Sequence, residues 1–132
     1  MKILPDMIGI VVEDMEKAID FYRLLGFEIP DEHKIQDHVE VITENGYRIA
    51  WDKASLMSTI LPNWIKPIGQ GLTLAFKIDS PQDVDVLVNT LRANGYKIEK
   101  EPWDAFWGQR YAIVKDPDGN NVDLFAALKQ NE

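Results

Sequence analysis

The same order of secondary structure is predicted twice along this chain, and that repeat restricts the fold more than any other feature. In the first half, the β-rich run 7–12 is followed by Asp14, a good helix N-cap. Apolar residues then recur at helical spacing before Gly26 ends the predicted helix, namely Met15, Ala18, Ile19 and Tyr22. Short strands are predicted at 27–29, 38–43 and 47–52, with the turn signal ENG between the last two.

The second half of the chain repeats this order. Segment 72–78 alternates as a strand, Ser80 and Asp83 are typical of a capped helix start, and Pro81 suits the first helical position. Gly95 ends the helix, whose apolar stripe is formed by Val84, Leu87, Val88 and Leu91. The run YKI then echoes the earlier FEI, and two strands joined by the turn DPDGN follow. Each half is therefore predicted to be a β-α-β-β-β module in an α+β fold.

The segment that joins the two modules is long for a compact domain. It covers 54–71 and contains two prolines and two glycines, which predicts either a crossover or a functional loop. At 132 residues the chain is expected to form a single domain, 1–132, that buries a core unaided. Module one then covers about 1–53, and module two about 72–128.

Composition excludes several functions. The chain contains no cysteine, which removes disulfides, thiolate zinc sites and cysteine nucleophiles. Its net charge of −8 disfavours nucleic acid as a partner and would attract a cationic ligand, although an acidic surface also simply keeps a protein soluble. Neither a signal peptide nor an apolar run long enough to span a membrane is evident, so we expect a cytoplasmic protein.

Two segments of the sequence, one in each module, resemble a known family. VVEDMEKAIDFYRLLGF in the first module and WGQRYAIVKDPDGNNVDLF in the second resemble the glyoxalase/bleomycin-resistance/extradiol-dioxygenase superfamily, also called vicinal oxygen chelate. The resemblance covers essentially the whole chain. It implies a curled mixed sheet around a concave groove, and a homodimer, as in many members. It does not specify a function, because this fold hosts lyases, epimerases, dioxygenases, transferases and drug-binding proteins.

The resemblance also implies where a metal would bind. Metal-dependent members carry His, Gln or Glu ligands that point into the groove, and the matching positions here are Met7, Trp51 or Asp52, Thr73 and Asp123. A thioether, a hydroxyl group and one or two short carboxylates make a poor divalent-cation site. We therefore expect no metal, no cofactor and no catalytic residue. The two histidines, His33 and His38, match no ligand position and are expected in a solvated loop and at a strand edge.

A cluster of aromatic residues lies between the last strands. The run PWDAFWGQRY places Trp103, Phe106 and Trp107 in a Pro- and Gly-flanked segment, and Trp51 is in the other module. These rings either belong to the core or line a groove that stacks on a flat or cationic ligand. A similar W-G-x-R segment borders the ligand groove in bleomycin-resistance-like members. Trp51 is open to either interpretation, whereas Arg110 is expected to pair with a carboxylate such as Asp116.

The alternation of the last strand places a carboxylate among these rings. If Val122 and Leu124 face the helices, Asp123 and Phe125 face the groove. The predicted ligand-binding residues are therefore Trp51, Asp52, Trp103, Phe106, Trp107, Asp123 and Phe125.

The favoured function is a protein that binds a small organic, cationic aromatic ligand without metal, similar to the antibiotic-resistance branch. The alternative is a metal-dependent lyase, isomerase or dioxygenase of the same superfamily, with glyoxalase-type lyase chemistry if it is an enzyme. A protein kept for protein contacts alone has no positive support in the sequence.

Overall fold

The computed structural model describes residues 1–67 and 71–128. The chain forms two compact units, Met1–Pro67 and Ile68–Glu132. Their boundary falls inside the segment predicted as a connector, of which residues 68–70 lie outside the described part. Within the described residues, no helix is both long and apolar enough to cross a membrane.

The first unit is a three-stranded mixed sheet with helices. Its elements are β1 (Met7–Val12), α1 (Met15–Leu24), a 3₁₀ helix (Asp31–Ile35), β2 (His38–Ile42), β3 (Arg48–Lys53) and α2 (Ala54–Ile60). The strand order is β1-β3-β2, with β1 parallel to β3 and β2 antiparallel to β3. The predicted turn between β2 and β3 is confirmed, because Thr43 N donates to Tyr47 O at 2.7 Å and Gly46 has a φ of +86°.

Helix α1 forms where the sequence predicts it. The Asp14 carboxylate accepts a hydrogen bond from Lys17 N at 3.1 Å and so satisfies a free N–H group at the helix start. Met15, Ala18, Ile19 and Tyr22 are all fully or almost fully buried, as their spacing predicts.

One prediction for the first unit is wrong, and one helix was not predicted. Residues 27–29 form no strand; instead a groove of about 760 Å³, lined by residues 26–28 and 40–44, separates this segment from the edge of β2. The first unit therefore has the order β-α-β-β rather than β-α-β-β-β. The segment predicted as a connector begins with the seven-residue helix α2, which lacks both a side-chain cap and a buried residue, so the usual sequence signals were missing.

The second unit confirms the predicted β-α-β-β-β order. Its elements are β4 (Leu74–Lys77), α3 (Pro81–Ala93), β5 (Ile98–Ala105), β6 (Gln109–Lys115) and β7 (Asn121–Ala127). They form a four-stranded mixed sheet in the order β4-β7-β6-β5, with β4 parallel to β7. The predicted helix start is confirmed, since Ser80 Oγ accepts from Asp83 N at 3.2 Å and Pro81 opens α3.

The residues DPDGN form a hydrogen-bonded turn between β6 and β7. The buried Asp116 carboxylate accepts hydrogen bonds from the backbone N–H groups of Asp118 and Asn120, at 2.9 and 2.8 Å. Gly119 supplies the positive φ of +84° that a side chain would strain. This turn sets the register of β7, and Val122 and Leu124 are fully buried on the side of α3, as predicted.

Arg110 lies on the helix side of this sheet and is structural, but its partner differs from the prediction. It donates to Asp85 of α3 at 3.0 Å and to Asp104 of β5 at 3.0 Å, and so ties the helix to the sheet. The Asp116 carboxylate instead accepts hydrogen bonds from backbone N–H groups within its own turn.

Candidate ligand site

Five aromatic side chains gather around the second sheet, on and beyond the face opposite α3. Trp103, Tyr111 and Phe125 lie side by side on β5, β6 and β7, because the register pairs Trp103 with Tyr111 and Tyr111 with Phe125. Phe106 and Trp107 belong to the turn between β5 and β6. We call these five residues the aromatic cluster, and the sheet face opposite α3 the aromatic face.

The rings of the cluster contact one another mainly edge to face. The Trp107 ring centroid lies 6.0 Å from that of Trp103, 5.3 Å from Tyr111 and 5.1 Å from Phe106. Tyr111 stacks on Phe125 with centroids 5.9 Å apart. Trp107 is 48% exposed and Phe106 is 96% exposed, while the other three rings are partly exposed. Such a set of accessible rings can stack on an organic molecule.

A carboxylate lies within the aromatic face. Asp123 is two residues from Phe125 on β7, and its Oδ2 accepts a hydrogen bond from the Tyr111 hydroxyl at 2.5 Å. An ionised carboxylate offers about four acceptor positions, and Tyr111 uses one of them. Asp123 can therefore still accept from, or pair with, a donor on a bound molecule.

Two lysines share this face. The Lys100 ammonium lies 4.6 Å from the centroid of the Trp103 ring, a cation–π contact. Lys77 of β4 lies beside Phe125 in the register and is exposed. The face therefore carries both signs of charge around its rings.

The Tyr111–Asp123 contact predicts an alkaline transition. Burial and the neighbouring Asp123 raise the pKa of the Tyr111 phenol from 10.0 to about 12. This contribution to stability is complete below pH 10.0 and is lost as the pH rises towards about 12, because the unfolded chain ionises first. The unfolding free energy of the wild type should therefore fall more steeply between about pH 9 and about pH 11.5 than that of Tyr111→Phe. Denaturant titrations at both pH values measure this, and parallel losses would contradict it.

The first unit places Trp51 away from any open surface. Its side chain is fully buried on the helix side of β3, with its ring centroid 5.1 Å from that of Tyr22 and 6.0 Å from that of Phe27. The sequence left the face of this residue open, and the structure places it in the core. A ring with no exposed surface cannot stack on a ligand, so Trp51 has no part in the proposal below.

Asp52 lies on the opposite face of β3 and pairs with His38, a contact that was not predicted from the sequence. His38 Nδ1 lies 2.5 Å from Asp52 Oδ1, and His38 Nε2 lies 3.7 Å from Glu40. Glu40 in turn pairs with Arg48 at 2.5 Å. The signal was present in the turn: once Thr43 pairs with Tyr47, counting back five residues on β2 and forward five on β3 places His38 opposite Asp52.

This pair predicts the titration of His38. The hydrogen bond to Asp52 raises the pKa of His38 above 6.5, and Glu40 adds to the effect. The stabilisation is complete below pH 6.5 and is lost as the pH rises through the folded-state pKa. We expect an NMR titration to give His38 a midpoint above 6.5 that falls in Asp52→Asn. An unchanged midpoint in that variant would contradict the pairing.

The positions that match metal ligands in the family do not fit a divalent cation. Met7 offers a thioether, Thr73 a hydroxyl group, and the Asp52 and Asp123 carboxylates are hydrogen-bonded to His38 and Tyr111. Within residues 1–67 and 71–128, no group of three or more His, Asp or Glu side chains could hold a metal ion. We therefore assign no chemical step to a metal.

The order of strands and helices indicates the class of protein. The fold consists of two consecutive α+β units, each a mixed sheet with helices, and the second unit has the complete β-α-β-β-β order. A family model described as the Glyoxalase/Bleomycin resistance protein/Dioxygenase superfamily matches residues 4–124. The chain therefore belongs to this superfamily.

Solved structures share this fold at low sequence identity. A glyoxalase/bleomycin resistance protein/dioxygenase family enzyme from Burkholderia phytofirmans superposes with a TM-score of 0.81 at 21% identity, over 93% of this chain and 98% of that one. A glyoxalase/bleomycin resistance protein/dioxygenase from Nocardioides superposes with a TM-score of 0.74 at 24% identity, over 100% of this chain and 88% of that one. A glyoxalase/dioxygenase from Nostoc punctiforme gives 0.70 at 25%, over 96% and 92%. Among curated proteins, none matches the chain.

Proposed function

We propose that this chain binds a small, planar organic molecule that carries a cationic or amine group, on the aromatic face of the second unit and without a metal. The observation that supports this most directly is the aromatic cluster itself. Trp103, Tyr111 and Phe125 line one face of the second sheet, Trp107 lies in the turn at the end of β5, and the Asp123 carboxylate lies among these rings. Rings supply stacking, and the carboxylate supplies a partner for an ammonium group.

Charge acts at two distances in this proposal. The net charge of −8 draws cations towards the protein as a whole. At the face itself, Lys77 and Lys100 offset Asp123, so local net charge does not select a cation. Selection therefore comes from direct contact with the π faces and with the Asp123 carboxylate, and a cation that is also aromatic gains both stacking and cation–π attraction. Sequestration of such a compound is the role we propose, as in drug-binding members of the bleomycin-resistance branch.

The direct test is binding measured by tryptophan fluorescence. Benzyltrimethylammonium and larger aromatic amines are titrated into the protein, with neutral compounds of the same shape and phenylacetate as matched controls. We expect the cations to bind more tightly than the neutral compounds, and Asp123→Asn to reduce the difference. The proposal fails if no cation in a broad screen binds, or if neutral compounds bind equally well in both proteins.

The alternative, a metal-dependent lyase or dioxygenase, is tested by elemental analysis. Protein purified without chelator should contain no stoichiometric nickel, zinc, iron or manganese, because the matching donor set is poor. One metal ion per chain that is lost in Asp123→Ala would favour the enzyme instead.

We also propose a homodimer. Exposed apolar side chains lie at the end of the helix α2 and just beyond it, with Ile60 61% exposed, Leu61 50% and Ile65 83%. Apolar surface of this kind is typical of an interface. Light scattering at micromolar concentration should therefore give twice the chain mass of 15.1 kDa. A stable species of 15.1 kDa would contradict this.

A further inference from the structure

The Lys100 ammonium has an unusual partner for a chain so rich in carboxylates. The sequence contains 22 Asp and Glu residues, and the neighbours of Lys100 on β5 are Glu99 and Glu101. Both neighbours pair elsewhere: Glu99 with Lys97 at 3.4 Å, and Glu101 with Arg92. In the described part of the chain, Lys100 forms no ion pair with a carboxylate, and its ammonium instead lies over the Trp103 ring at 4.6 Å.

A cation, rather than a parallel-stacked ring, lies over the Trp103 indole. The Trp107 and Tyr111 rings are inclined to the indole plane by 89° and 67°, at centroid distances of 6.0 and 5.5 Å. These are edge-to-face contacts rather than parallel stacks. The Lys100 ammonium is thus a primary alkylammonium group held on the aromatic face of this protein, and it shows what kind of group that face accepts.

We propose that Lys100 occupies the place on Trp103 that the cationic group of a ligand takes, so that binding displaces the Lys100 side chain. This inference rests on the proposed function and adds a specificity-determining residue to it. The side chain is exposed and belongs to a flexible residue type, so it can leave the ring without a change in the backbone. Lys100 then acts as an internal competitor that sets a threshold: a ligand must bind Trp103 better than an alkylammonium group does. A cation that also stacks on neighbouring rings meets that condition.

The test compares two lysines on one face. Lys100→Gln removes the competitor and one positive charge, whereas Lys77→Gln removes the same charge from the same face without uncovering Trp103. Affinity for benzyltrimethylammonium should rise in Lys100→Gln by about two- to fivefold beyond any rise in Lys77→Gln, the range of an exposed cation–π contact. Lys100→Arg, which also stacks on indole, should show no such rise.

An NMR measurement on the wild type tests displacement directly. In the free protein, the ring current of Trp103 should shift the ε-methylene protons of Lys100 upfield. At saturation with benzyltrimethylammonium, this signal should return towards the position of a solvated lysine.

The outcomes separate the two proposals. If no cationic compound binds the wild type, the proposed function fails and this inference fails with it. If the cation binds, three results overturn this inference alone: weaker binding in Lys100→Gln, a change equal to that in Lys77→Gln, or a Lys100 signal that does not move at saturation.

Discussion

Replacing Trp51 with alanine is expected to lower the unfolding free energy by about 3–5 kcal/mol, enough to unfold much of the population of a marginally stable domain. The side chain is fully buried and its ring contacts those of Tyr22 and Phe27, so alanine leaves a large cavity between β3 and α1. Denaturant unfolding followed by circular dichroism measures the change.

Two variants make this prediction specific. Trp51→Phe keeps most of the ring packing and should lose much less stability than Trp51→Ala. The indole Nε1–H has no hydrogen-bond acceptor within the described residues, so phenylalanine leaves no acceptor unsatisfied there. Trp107→Ala removes an indole that is 48% exposed and should change stability by about 1 kcal/mol or less. Equal losses for Trp51→Ala and Trp107→Ala would show that the two tryptophans do not have the different environments described above.

Trp107→Ala is expected to weaken the binding of a cationic aromatic compound by about five- to thirtyfold, which corresponds to about 1–2 kcal/mol. The indole contacts three other rings of the cluster, and its Nε1–H donates to Gln109 at 2.8 Å, which fixes its orientation. Removing it takes away both a stacking surface and a site of cation–π attraction. Isothermal titration calorimetry with benzyltrimethylammonium gives the affinity.

The ligand provides the control for this second prediction. Trp107→Ala should weaken a neutral compound of the same shape less than it weakens the cation, because only the cation loses the electrostatic part of the contact. Trp107→Phe, with a smaller ring, should fall between the wild type and the alanine variant. A variant that binds both compounds as the wild type does would remove Trp107 from the site, and a thermal midpoint that collapses would place it in the core.

Helices α1 and α3 and the strand order of the second unit could be predicted from the sequence because their signals are local. Asp14 and Ser80 cap α1 and α3, as predicted, since capping depends only on the next few residues. The prediction of a strand at 27–29 was wrong because the pattern of a short strand does not show whether a neighbouring strand lies close enough to pair with it. Here a groove separates this segment from β2. Helix α2 was not predicted because it has no side-chain cap and no buried residue.

The sequence by itself determined the α+β fold, the complete second module and the side of β7 that carries Asp123. These follow from periods of two and 3.6 residues and from turn chemistry. Only the tertiary structure decided the environments of the tryptophans, since the same residue type is fully buried at Trp51 and 48% exposed at Trp107. It also decided the partners of Arg110, His38, Tyr111 and Lys100. Such contacts depend on strand register and side-chain direction, which join residues far apart in the chain and have no local signature.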